Sequence, residues 1–251
     1  MSLVHVVRRE GVAVITLDRP PANAFTLDLI EELRGALSGS ADSGAVVLAS
    51  SSSAIFSAGW DLRFLLSQDQ KAFESFVMAY CLLIREVFAF ERPVIAALSG
   101  HAIAGGLILA AAVDERFAAE GRGELGLSEV LLGVPVPACA LEIFRHAIGA
   151  RATERLASTG ENLSVGRARE VGLVDRVVAG ESLLAEAEAR ARFLAGRPAA
   201  AHAAIKRRSR ARALARFDQA LLDDPFFDFW FSDDAQERIR ALVAKLTKKT
   251  V

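Results

Sequence analysis

At 251 residues the chain is long enough to bury a full hydrophobic core without disulfides or metals to staple it. Its composition, 52% hydrophobic and 24% charged, is that of a folded protein and excludes disorder, and a net charge of −1 removes any global electrostatic case for nucleic acid. Cys81 and Cys139 have no C-x-x-C spacing, which excludes a disulfide framework and predicts two reduced core residues. Arg8, Arg9 and Glu10 stand where a secretory segment would need apolar residues. No apolar run approaches about 20 residues, so a cytoplasmic protein without a membrane span is expected.

Residues 4–7 and 12–17 are β-prone runs around Arg-Arg-Glu-Gly, which predicts a hairpin with Gly11 in its turn. After a Pro-Pro-Ala-Asn loop at 20–23, Thr26 is placed to cap a helix running to about residue 37, with Phe25 and Ile30 as a hydrophobic staple. A buried strand follows at 45–49, then a Ser-rich loop. Apolar residues such as Phe73, Phe76, Val77, Tyr80 and Ile84 recur at helical spacing over 72–90, and their aromatics read as core. A strand at 93–98, a glycine turn at 99–106 and a wholly apolar helix at 107–113 come next. Strands near 116–119 and 173–178, with helices near 137–148, 150–158 and 164–170, complete an α/β alternation. From about residue 181 the pattern is helical, at 181–195, 199–222 and 233–246, with a break at Gly196-Arg-Pro. The chain therefore divides into an α/β body, 1–196, and a C-terminal helical region, 197–251. The aromatic run Phe226, Phe227, Phe229, Trp230 and Phe231 either folds back on the body or docks on another subunit.

Three segments carry residues suited to chemistry. In Phe-Ser-Ala-Gly-Trp-Asp-Leu at 56–62, Gly59 permits a tight turn that can aim a free N–H into a cavity, and Asp61 can cap the helix that follows. In the glycine turn, a buried helix starts at Gly105 or Gly106, and its first N–H groups, lacking intrahelical partners, can receive developing negative charge. In Gly-Leu-Ser-Glu at 126–129, Glu129 stands among Leu127, Val130 and Leu131, surroundings that would raise its pKa and make it a proton shuttle near neutral pH. Each has a plainer reading alone: a capped loop, close helix packing, a solvated carboxylate. His101, within the glycine turn, reads as structural, and Asp61 as the organiser of the Trp60 loop.

Together with Arg-Pro-Pro-Ala-Asn-Ala at 19–24 and Gly-Leu-Val-Asp at 172–175, these segments resemble, in order and spacing, the signatures of the crotonase superfamily, the enoyl-CoA hydratase/isomerase family. The resemblance spans nearly the whole chain. It implies a spiral core of ββα units with a C-terminal helical trimerisation region, an acyl-CoA substrate without a further cofactor, and a homotrimer or dimer of trimers. It places the two donors of an oxyanion hole on the backbone N–H groups of Trp60 and Gly105, which leaves the Trp60 ring free to wall the acyl pocket. It places substrate contacts at Ala22, Ser57, Ala58, Asp61, Leu62, Arg63 and Ile108.

Hydratases of this family hold a water between two glutamates. The second position matches Glu129, but the first, three residues after the oxyanion glycine and on the same helix face, holds Ile108. One carboxylate can carry a proton between C2 and C4 of an acyl chain through a dienolate, and Ala-Gly-Gly-Leu-Ile-Leu-Ala at 104–110, with Asp114, Arg116 and Gly-Leu-Ser-Glu at 126–129, is similar to the Δ3,Δ2-enoyl-CoA isomerase branch. Val-Pro-Val-Pro-Ala-Cys at 134–139, in place of the hydratase Pro-Gly-x-Gly-Gly-Thr, also counts against a hydratase. An enoyl-CoA hydratase or acyl-CoA hydrolase using one glutamate remains an alternative. So does a non-catalytic acyl-CoA or RNA-binding member, for which Lys206, Arg207, Arg208, Arg210 and Arg212 would be the relevant feature. That run reads first as a solvated helix face, next as a contact for CoA phosphates, and last as a nucleic-acid surface. The spacing of histidines and cysteines predicts no metal site, and no dinucleotide fingerprint is present.

Overall fold

Gly11, at φ +77, turns strand β1 (Val4–Arg9) back onto β2 (Val12–Leu17), with Arg9 opposite Val12, the hairpin expected from the sequence. The computed structural model describes residues 2–222 and 224–249, so Met1, Asp223, Thr250 and Val251, which the two-part division counts, lie outside the described residues. Helix α1 (Leu27–Ser38) follows. Thr26 is its N-cap residue, but its side chain makes no capping bond. Entry into α1 is set instead by a backbone bridge between Phe25 and Trp60.

Next come β3 (Ala45–Ser50), β4 (Ile55–Ser57), the single turn α2 (Leu62–Leu65) and the long α3 (Gln70–Ala89). Then follow β5 (Val94–Leu98), β6 (His101–Ile103), α4 (Gly105–Ala111), β7 (Glu115–Ala119), β8 (Glu124–Gly126) and a 3-10 turn at Glu129–Leu132. Each passage adds one strand to a large sheet, one to a small sheet, and a helix. The large sheet runs β1-β2-β3-β5-β7-β10 and is parallel from β2 onward, while the small one runs β4-β6-β8-β9. This is the ββα spiral that the resemblance implies.

Helices α5 (Ala138–Ile148) and α6 (Ala150–Thr159), strand β9 (Leu163–Ser164), α7 (Val165–Glu170) and β10 (Arg176–Val178) complete the spiral. The strand expected at 173–178 is shortened to β10. The N–H groups of Leu173 and Val174 close the end of α7 on the Ala168 carbonyl, with Gly172 at φ +80, before the chain can extend. One face of the large sheet bears Val46, Leu48, Val94 and Ala96 on the main core shared with α1, α3, α4 and α5. The alternate residues, among them Val47, Ala49, Ile95 and Ala97, pack on Ala187 and Ala191 of α8 (Leu183–Ala195). No described helix is long and apolar enough to cross a membrane.

The tail comprises α9 (Ala199–Ala220), α10 (Phe226–Trp230) and α11 (Asp233–Lys249), and it folds back on its own body. Helix α9 packs on α5 and α3, and the basic run on it is only in part the solvated face expected from the sequence. Lys206 and Arg210 are buried, each pairing with Asp114, at 2.7 Å and 2.8 Å. The Arg210 guanidinium also donates to the carbonyls of Phe88, Ala112 and Val113, where α3 and α4 end. Burial lowers the Lys206 pKa to about 8, against the pull of Asp114. Arg207, Arg208 and Arg212 are the exposed members of the run. Helical spacing explains the split: 206 and 210 share one face, one turn apart.

Asp114 is thus the counter-charge that fastens α9 to the end of α4. Asp114→Ala leaves two buried cations unpaired and is expected to cost about 3–5 kcal/mol, read as a lower urea midpoint with an unchanged slope. Arg208→Ala, on the exposed face of the same helix, is expected to stay within about 0.5 kcal/mol of wild type.

Candidate active site

Strands β4, β6 and β8 are parallel neighbours, with Ser57 beside Ala102, Ala102 beside Leu125 and Ile103 beside Gly126. The chain therefore leaves all three at the same edge of the small sheet. Within three residues of each strand end stand Trp60, Gly105 and Glu129 respectively. Ligand sites gather at such carboxyl ends of parallel strands, where loops diverge and backbone groups come free.

Trp60 is held on one side only. The Phe25 N–H donates to the Gly59 carbonyl and the Asp61 N–H to the Phe25 carbonyl, each on the edge facing Phe25. In extended backbone successive peptides alternate, so the N–H of Trp60 points to the opposite edge, and it donates to no described protein group. Asp61 organises this loop as its sequence position predicts. Its carboxylate accepts the Phe64 N–H at 3.1 Å, capping α2, and pairs with Arg19 at 2.7 Å. Arg19 in turn donates to the Ala24 carbonyl, closing the loop on itself.

Gly105 opens α4, so its N–H has no intrahelical acceptor, and none of the described protein groups supplies another. The turn from β6 into α4 is forced through Ala104 at φ +48, a backbone state that L-residues rarely hold. What over-determines it is close packing. A Cβ on Gly106 would lie 2.2 Å from the Ser57 carbonyl oxygen, and one on Gly59 would lie 3.0 Å from the Gly105 nitrogen. Only glycine allows the two loops to approach until their free N–H groups share one edge. The Tyr80 hydroxyl, from α3, donates to the Gly105 carbonyl and fastens the first turn of α4 from behind. Burial pushes the Tyr80 phenol well above its ordinary range, with Cys81 and Glu129 adding to the shift, so it stays a donor.

Glu129 begins the 3-10 turn and is buried. Its Oε2 has no hydrogen-bond partner among the described residues. Desolvation raises its pKa from an ordinary 4.5 to about 7. Of the neighbours expected to cause this, Leu127 is fully buried, whereas Val130 and Leu131 are 41% and 57% exposed. The 3-10 geometry turns them outward onto Gly160, and the turn is instead covered by α6 and by α11, whose Asp234 lies over Gly133.

The remaining residues expected at the site divide by burial. Ala22 and Ala58 face each other through an Ala58 N–H to Ala22 carbonyl bond of 2.9 Å beside the Trp60 loop, and Leu62 is half-buried. Ser57 is fully buried and spends its hydroxyl inside the loop, donating to the Asn23 carbonyl. Arg63 is exposed and donates to Thr247 of α11. Ile108 is fully buried in α4. His101 is exposed, with its Nδ1 accepting the Glu124 N–H, the structural role expected of it. Among the described residues, no group of three His, Cys, Asp or Glu side chains could hold a metal ion.

Sequence reasoning missed two contributors. Tyr80, the chain's one tyrosine, passed as an ordinary core position, although a lone hydroxyl on an apolar helix face calls for a partner. The ring cluster around Trp60, from α3 and α10, joins residues too far apart in the chain for any local pattern to link.

The family model described as "Enoyl-CoA hydratase/isomerase" matches residues 7–247. A mitochondrial enoyl-CoA delta isomerase 1 from Rattus norvegicus is 31% identical over 180 residues, 70% of this chain and 62% of that protein. A crotonyl-CoA hydratase from Syntrophomonas wolfei is 31% identical over 183 residues, 71% and 70% of the two chains. The crystal structure of human mitochondrial delta3-delta2-enoyl-CoA isomerase superposes with a TM-score of 0.93 at 26% identity, covering 99% of this chain and all of the other.

Gly106→Ala tests the close approach. A methyl 2.2 Å from a carbonyl oxygen is expected to cost about 1–3 kcal/mol or more in urea unfolding. Gly35→Ala, in α1 with open space around it, is expected to gain up to about 1 kcal/mol.

Proposed function

We infer that this chain, which belongs to the enoyl-CoA hydratase/isomerase family, moves a proton between C2 and C4 of a 3-enoyl-CoA thioester, with Glu129 as the carrier. The observation that carries this reading is a buried carboxylate with a free oxygen and a pKa raised to about 7, at the same edge of the small sheet as two backbone N–H groups that donate to no described protein group. The thioester oxygen accepts from the Trp60 and Gly105 N–H groups. As Glu129 removes the proton at C2, negative charge moves onto that oxygen, where the fixed donors stabilise it. The resulting dienolate carries charge at C4 as well, and the protonated Glu129 returns the proton there. Atoms balance, since the proton leaves one carbon and reaches another and the double bond shifts by one position.

Ile108 favours proton transfer over hydration. A hydratase must hold its water between two polar groups, and the helix turn facing Glu129 offers a buried aliphatic side chain. Relatives carry both hydratase and isomerase names, so the choice rests on these side chains. The RNA-binding alternative loses weight because Lys206 and Arg210 are committed to Asp114. The same reading carries a homotrimer or dimer of trimers, an acyl-CoA substrate with no other cofactor, and a cytoplasmic setting.

Incubating the protein with 3-enoyl-CoA and 2-enoyl-CoA in deuterated water, with mass analysis of the products, separates the reactions. Isomerisation shifts the double bond without adding water, and hydration adds it. Conversion of 2-enoyl-CoA to the hydroxyacyl product alone would sink the reading. Glu129→Gln is expected to lower kcat/KM by about 10²–10⁴-fold.

The pH dependence has a defined sign. For wild type, kcat/KM rises as pH passes through about 7, because the free enzyme needs the Glu129 carboxylate. Stability runs the other way. The folded pKa lies above the ordinary 4.5, so the folded state binds more protons between 4.5 and about 7, and Glu129's contribution to stability is lost as pH rises through that window. Glu129→Gln is therefore expected to unfold at higher urea than wild type above pH 7, with the difference closing in acid.

A further inference from the structure

We propose that Trp60, with the block of rings behind it, limits the substrate to a short acyl chain. The inference rests on the acyl-CoA reading of the site, because that reading fixes where the chain enters. With the thioester oxygen on the Trp60 and Gly105 N–H groups and C2 facing Glu129, the acyl chain must pass the side chains that line this edge. Trp60 and Tyr80 stand there. A Cβ built on Gly105 would lie 2.9 Å from Trp60 Cδ1, 3.0 Å from Trp60 Nε1 and 3.2 Å from the Tyr80 hydroxyl, so the indole packs directly against the oxyanion glycine.

Behind the indole the space is filled. Phe76, Tyr80 and Phe226 meet it edge-on with centroids at 5.3, 5.4 and 5.7 Å. Phe73 and Trp230 stand at 6.3 Å and stack on each other at 4.3 Å, closing the far wall. The wall thus joins α3 of the spiral to α10 of the tail. A cavity next to it, lined by Val77, Cys81, Cys139 and Phe226, measures about 20 Å³, room for about one water and not for a chain of methylenes. Close-packed rings do not yield a few ångströms without loss, so a longer chain has to displace Trp60 or move α10.

The ring is also free to change without touching the chemistry. Trp60 Nε1 is buried with no hydrogen-bond partner among the described residues, so the indole is held by packing. The donor that serves the thioester oxygen is the backbone N–H, which any residue but proline supplies. Substitution at position 60 therefore resizes the pocket and keeps the oxyanion donor.

The test compares kcat/KM for 3-hexenoyl-CoA and 3-dodecenoyl-CoA, alongside calorimetric binding of hexanoyl-CoA and dodecanoyl-CoA, in wild type, Trp60→Leu and Phe226→Ala. Wild type is expected to prefer the six-carbon substrate by at least about tenfold, and Trp60→Leu to shift that ratio at least about tenfold towards the longer chain. Phe226→Ala opens the same wall from α10 and is expected to shift it in the same direction, which keeps the test valid should Trp60→Leu fail to fold. Equal or better use of 3-dodecenoyl-CoA by wild type, or an unchanged ratio in both folded variants, overturns the proposal. If neither enoyl-CoA is isomerised but hexanoyl-CoA binds more tightly than dodecanoyl-CoA, the proton-transfer reading falls and the size limit stands. Absence of binding to either acyl-CoA overturns both.

Discussion

The approach of Gly106 to the Ser57 carbonyl governs the rest of the site. A separation that admits no Cβ draws the loop after β4 and the start of α4 together, and it does so at the end of the three parallel strands of the small sheet, each only three residues long. Strands this short contribute little stability by themselves. Their value is geometric: parallel register sends three successive loops out at one edge, so the two free N–H groups and the carboxylate arrive together without any residue reaching far. The strained Ala104 and the cap at Asp61 then tune what the register has already arranged.

Two buried charge problems receive opposite solutions. Half-buried Asp114 accepts from Lys206, Arg210 and the Val94 N–H, and so compensates two buried cations. Glu129 is deprived of partners, and its carboxyl drifts towards neutrality instead. The first arrangement fastens an element; the second leaves a carboxyl that can take up or release a proton near neutral pH. Both depend on the C-terminal helices, since α9 carries the cations that answer Asp114 and α11 covers the turn that bears Glu129. The tail is part of the site's construction, and the choice between folding back and docking elsewhere is decided by Phe226 and Trp230, both buried against α3 and Trp60.

Much of this was legible in the sequence wherever the signal is local. The hairpin at Gly11, the amphipathic α3 and the apolar α4 follow from periodicity and turn residues, and the loops bearing Trp60 and Gly105 are marked by glycines that permit close approach. Strands β4, β6, β8 and β9 were invisible because two or three residues show no period. The commitment of Lys206 and Arg210 was hidden for a different reason: their partner lies more than ninety residues earlier, and composition cannot tell which face of a basic helix is buried. Glu129's apolar surroundings were anticipated from Leu127, Val130 and Leu131, of which Leu127 is buried and the other two prove to face outward. A 3-10 turn rotates its neighbours differently from the loop that sequence alone implies, so the environment is apolar with only part of the expected lining.

That the two unpaired donors are main-chain atoms bears on how such a site can be found and how it can drift. Replacing side chains one at a time removes Glu129's carboxyl but, proline aside, leaves both N–H groups in place, so a mutational scan reads position 60 only through its ring and Gly106 only through packing. Two unpaired donors of this kind come with the backbone path itself. What selection can vary there is the indole, whose size can change while both N–H groups stay in place.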